Sequence, residues 1–125
     1  MTTVGLVFAA IAALVHVYIF VLESVLWTSD GTIRKFGITR VQAEQTKQLA
    51  FNQGFYNLFL AIIAAAGIVF LLLQRPSVGL ALLAAGLGSM VAAGLVLAIS
   101  DPTKLRPAIT QLAAPAVALV LLFAA

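Results

Sequence analysis

Residues 14–27, Leu-Val-His-Val-Tyr-Ile-Phe-Val-Leu-Glu-Ser-Val-Leu-Trp, decide how the chain is read. The run is apolar enough to lie in a lipid bilayer, yet it carries His16 and Glu23. An α-helix turns about 100° per residue, so a step of seven brings a side chain back to nearly the same face. His16, Phe20 (or Ile19), Glu23 and Trp27 are therefore expected to form one stripe. Ionisable groups inside a hydrophobic span are costly, and they generally face a bundle interior or a water-filled cavity. The stripe is the first place to look for function.

Composition sets the class. The 125 residues are 63% hydrophobic and 9% charged, where a soluble domain carries about 25% charged residues. The mean hydropathy is +1.16. Such a chain has too little polar surface for solution and is read as a single integral membrane domain, 1–125. The net charge is +3, but all seven Lys and Arg lie outside the apolar runs, a pattern of membrane orientation and not of a nucleic-acid surface. Cysteine is absent, which excludes disulfides, thiol redox chemistry and Cys-ligated metals. One His leaves no multi-histidine metal or haem site within a protomer, so neither metal nor cofactor is expected. The first apolar run is long and lacks a positive leading region, as expected of a retained span and not of a cleaved signal peptide.

Four apolar segments follow, at about 4–27, 51–73, 78–99 and 108–125. A span needs roughly 20 residues to cross a hydrocarbon core of about 30 Å. Continuous apolar runs without period-2 alternation are helices, which satisfy their own backbone polar groups in lipid. The expected fold is an all-α, antiparallel four-transmembrane-helix bundle. Short connections at 74–77 and 100–107 contrast with a long first loop at 28–48. Within that loop, Thr39-Arg40-Val41-Gln42 fits a capping box, so the second helix is expected to begin near Arg40, ahead of its apolar part. Arg34, Lys35, Arg40 and Lys47 in the first loop, with Lys104 and Arg106 in the third, oppose Arg75 alone. The excess of positive charge puts those two loops in the cytoplasm of a cell-membrane protein, with both termini outside.

This orientation draws polar groups into one half of the bilayer. Glu23 lies about 10 Å deeper towards the cytoplasm than His16, from the helical rise. The second span opens Phe51-Asn52-Gln53-Gly54-Phe55-Tyr56-Asn57, with Gln53 and Asn57 on one face and Asn52 and Tyr56 flanking it. Gln111 enters from the fourth span, where Pro115 is expected to kink the helix and free the carbonyl of residue 111. The candidate ligand- or proton-binding residues are His16, Glu23, Trp27, Asn52, Gln53, Tyr56, Asn57 and Gln111. Each has a plainer reading. His16 could be a buried histidine satisfied by a neighbouring helix. Glu23 could be bonded structurally to the amides of 52–53 or to Tyr56, and the amides could be interhelical glue worth on the order of 1 kcal/mol each. The third span carries small residues in the registers Ala81/Ala85/Ser89/Ala93 and Ala84/Gly88/Ala92, suited to internal packing or to a homo-oligomer face.

His16, the run from Glu23 to Trp27, the Asn52–Asn57 run and the four-span layout resemble the bacterial and fungal membrane family called domain of unknown function 1304. The resemblance covers nearly the whole chain and implies a four-helix membrane fold, without bringing an activity, substrate or cofactor. A looser likeness to DoxX-type four-helix proteins rests on architecture alone.

Three functions are weighed. The first is binding or transport of a small amphipathic molecule, linked to protons through Glu23 and His16, with membrane lipids as surroundings. The second is a structural or partner-binding role without a ligand. The third is an intramembrane, isomerase-like enzyme with Glu23 or His16 as acid or base. The chain shows no activated nucleophile and no nucleotide-binding loop, which ranks the third last.

Overall fold

The first span folds as α1, Thr2–Phe20, and runs directly into a π-helical turn, Val21–Val25, in the computed structural model of the protein, which describes residues 2–124. Position 125, the expected end of the fourth span, lies outside the described residues, as does position 1. The remaining helices are α2 (Asp30–Phe36), α3 (Arg40–Leu72), α4 (Pro76–Ser100) and α5 (Leu105–Phe123), the last preceded by a 3-10 turn, Pro102–Lys104. There is no strand among the described residues. Four helical segments, Thr2–Val25, Arg40–Leu72, Pro76–Ser100 and Pro102–Phe123, are long and apolar enough to cross a membrane.

Local chemistry explains where the helices start and stop. Thr39 accepts from the Gln42 backbone N–H at 3.1 Å, and the Gln42 side chain accepts from the Thr39 N–H at 2.9 Å, closing the capping box that starts α3. The helix therefore runs 33 residues, about 50 Å, roughly 20 Å more than a hydrocarbon core needs. Its polar first turns stand beyond the apolar part. The α3–α4 turn is a Schellman motif: Arg75 N–H bonds the Phe70 carbonyl at 2.9 Å and Gln74 N–H the Leu71 carbonyl at 3.1 Å, with Gln74 at φ +59°. Pro76 then opens α4 at a position where no backbone N–H is needed.

Each long helix packs against its neighbours in a ring, α1–α3–α4–α5 and back to α1, with only slight contact across the α1–α4 diagonal. Lipid offers no hydrophobic drive for this, so the inner faces are small enough for backbones to approach. Ala9, Ala12 and Ala13 of α1 meet Ala61 and Ala64 of α3 and Ala118 of α5, while Leu83, Leu87 and Met90 of α4 supply the bulk of the centre. A pair of glycines marks a close approach in the α3–α4 seam: a Cβ on Gly79 would stand 2.8 Å from the Leu71 backbone nitrogen and 2.9 Å from the Gly67 carbonyl oxygen. Large side chains such as Leu14, Phe59, Ile62, Val96 and Ile99 point outward.

The third span corrects one expectation. Internal packing of α4 uses Gly79, Leu83, Gly86, Leu87, Met90 and Gly94. The registers Ala81/Ala85/Ser89/Ala93 and Ala84/Gly88/Ala92 lie on the outer side, where a Cβ at Gly88 would meet nothing within 4 Å. A span apolar all round gives no stripe from which to tell the inward face.

Candidate functional site

At one end of the bundle α1 does not finish as a straight α-helix. The π turn at Val21–Val25 closes with Leu26 N–H on the Val21 carbonyl at 2.9 Å, and the chain then leaves the helix. A π turn holds more residues than an α turn, so side chains after Phe20 are rotated off the α-helical stripe. The straight stripe of His16, Phe20, Glu23 and Trp27 is therefore not formed. Glu23 instead faces α3, and Trp27 lies beyond the helix.

Glu23 meets Asn57. Asn57 Nδ2 donates to Glu23 Oε1 at 2.7 Å and also to the Gln53 carbonyl one turn back at 3.2 Å. One position on, Ser24 Oγ donates to the Phe51 carbonyl at 2.8 Å. Gly54 permits this approach, because a Cβ there would stand 1.9 Å from Ser24 Oγ. The bond anticipated for Glu23 from the amides of 52–53 or from Tyr56 is thus made by Asn57.

Trp27 is held by two contacts, one of them braced from behind. Its Nε1 donates to Thr46 Oγ1 at 3.1 Å, Thr46 in turn donates to the Gln42 carbonyl at 2.7 Å, and the indole lies 5.1 Å from the Phe36 ring. So placed, it lines two clefts. One, of about 460 Å³, is lined by Glu23, Ser24, Trp27, Glu44, Gln45, Lys47, Gln48 and Phe51 among others. The other, of about 470 Å³, is lined by Trp27, Gln42, Thr46, Gln53, Asp101 and Lys104.

The connection carrying Trp27 is ordered by its own helix. Ser29 caps α2 by accepting from Thr32 N–H at 3.3 Å, and Gly37, at φ +63°, ends it in a left-handed conformation. Asp30 pairs with Arg40, which also donates to the Thr28 carbonyl at 3.2 Å. Lys104 donates to the Phe36 carbonyl, tying the third connection to the end of α2, and Lys35 donates to the Tyr18 hydroxyl.

The sequence candidates are accordingly dispersed. Glu23 and Asn57 are joined, Trp27 and Glu23 line one cleft that Asn57 does not reach, and Gln53 opens into the second. Asn52 and Tyr56 point outward, Tyr56 with 68% exposure. His16 is 1% exposed and its Nδ1 donates to the Ala12 carbonyl at 2.9 Å, so its own helix satisfies it, not a neighbouring one. Gln111 lines neither cleft. Gly5 meets Leu122, so counting 11 residues inward along each antiparallel helix sets Gln111 near the level of His16, well away from Glu23. Pro115 lies inside α5 and is buried without ending the helix. Sequence reasoning missed Ser24, Glu44, Thr46 and Gln48. Gly54 alone carried a signal, as a small residue inside an apolar span. No group of three or more His, Cys, Asp or Glu capable of holding a metal occurs among the described residues.

Four membrane-length helices, ring-packed through small residues and wholly α-helical apart from the π and 3-10 turns, define a multi-pass membrane protein. The family model described as "Protein of unknown function (DUF1304)" matches residues 10–123, and the chain belongs to that family. No curated protein and no solved structure matches the chain.

Proposed function

We propose that the protein binds a small amphipathic molecule in the cleft beside Glu23, at the end of the bundle formed by α2, the start of α3 and the 3-10 turn. The observation that carries this reading is the Glu23–Asn57 pair. A carboxylate within a membrane-length helix, set by a π turn into a cleft wall and held by a single amide, is expensive to maintain for packing alone. π turns recur at functional sites for this reason: they re-aim side chains at some cost to the helix. In this reading the ligand enters from the cytoplasmic side, because six of the seven Lys and Arg lie at that end. Both termini are then external.

Native mass spectrometry of the mildly solubilised protein, wild type against Glu23→Gln and Asn57→Ala, tests the proposal. A discrete adduct lost in both variants is the expected result. A bare protein, or an adduct indifferent to both substitutions, overturns it and returns the pair to a structural role.

A further inference from the structure

We infer that the ligand is a bilayer lipid with a primary-amine headgroup, its ammonium at Glu23 and Glu44, its phosphate at Lys47 and one acyl chain along Phe51, Phe55 and Phe59. This rests on the reading that the Glu23 cleft is a ligand site. The cleft lies where α3 passes from its polar first turns into its apolar run, which is headgroup depth for a membrane-length helix. Its charges are two carboxylates, Glu23 and Glu44, and one ammonium, Lys47. An anionic headgroup would set its only charge beside two acids. A zwitterion carrying an ammonium and a phosphate matches both signs at once. The amides of Gln45 and Gln48 add carbonyl acceptors, which suit the N–H donors of a primary amine and offer nothing comparable to a quaternary one.

The apolar half of an amphiphile has a track to follow. Phe51 is part of the cleft wall and begins a ladder up α3: its ring lies 5.0 Å from Phe55, which lies 6.3 Å from Phe59. Phe20 of α1 braces Phe55 edge-on at 5.0 Å. Phe51 and Phe59 are 47% and 50% exposed, so the ladder faces lipid over about 12 Å of helix. A polar cleft leading directly onto an aromatic strip has the shape of a headgroup with its first methylenes.

The full-length protein in mild detergent, offered equal amounts of phosphatidylethanolamine, phosphatidylglycerol and phosphatidylcholine, is read by native mass spectrometry. Phosphatidylethanolamine is expected to dominate, with its adduct reduced about tenfold by Glu23→Gln, since a hydrogen bond to a charged group is worth about 1.5 kcal/mol or more. Glu44→Gln and Lys47→Gln, both at exposed positions, should each reduce it several-fold. Phe55→Ala should weaken the long-chain lipid more than a six-carbon analogue. A phosphatidylglycerol or phosphatidylcholine adduct lost in Glu23→Gln overturns the amine assignment and leaves the ligand site standing. No adduct, or one that ignores Glu23→Gln, overturns both.

Discussion

Asn57 Nδ2 donates to Glu23 Oε1 at 2.7 Å, joining the π-helical end of α1 to α3 across 34 positions of sequence. The bond sits beside Ser24 and Gly54, where the two helices approach closely. A side-chain hydrogen bond between helices and a close helix approach thus share one seam.

The pair should be coupled in stability. In a double-mutant cycle of Glu23→Ala and Asn57→Ala, unfolding in detergent is expected to show an interaction energy of about 1 kcal/mol, typical of interhelical hydrogen bonds in membranes. Additive losses would show that the two side chains do not hold each other.

Gly54 should tolerate no side chain. Gly54→Ala drives a Cβ to 1.9 Å from Ser24 Oγ and 3.0 Å from Ser24 N, so the helices must separate. A loss of about 1–3 kcal/mol is expected, as for overpacking elsewhere. Ser24→Gly in the same chain should recover part of it. Gly88→Ala, with nothing within 4 Å, should be neutral or slightly stabilising. Equal melting temperatures for Gly54→Ala and Gly88→Ala would refute this account of the seam.

The two left-handed helix ends should respond in opposite directions. Gly37 is suited to its φ of +63°, and Gln74 is not suited to its φ of +59°. Gly37→Ala is expected to cost about 1 kcal/mol and Gln74→Gly to gain a similar amount, from the steric penalty of a Cβ in that region. Thermal unfolding of the two variants side by side checks both signs.

Trp27 is the chain's one tryptophan and borders both clefts, so its fluorescence reports on them without interference. Thr46→Val removes its hydrogen-bond partner and should shift its emission. Ligand binding in the Glu23 cleft should shift it as well, and Glu23→Gln should abolish only the second response. An emission maximum unmoved by Thr46→Val would remove the indole from that contact.

Sidedness can be read with single cysteines, since the chain has none. In intact cells a membrane-impermeant maleimide is expected to label Gln74→Cys and to spare Thr103→Cys until the membrane is opened. The reverse pattern would turn the protein over and place the Glu23 cleft outside.

Residues 14–27, the four long apolar runs and the Thr39–Gln42 capping box are local signals, and they suffice for a four-helix membrane fold with α3 starting at Arg40. In lipid the backbone must bond within each segment, so helix formation depends on neighbours along the chain and is legible there. Glu23 and Asn57 were legible as polar residues in apolar surroundings. That they meet, that His16 turns to its own backbone, and that Trp27 lines both clefts was settled by the packing of the helices. It also set the small-residue registers of α4 outward. The reason is rotational: a helix apolar all round has no preferred inward face, and a five-residue π turn shifts every side chain after it. Such settings follow from which surfaces pack against one another, and no spacing along one chain encodes that.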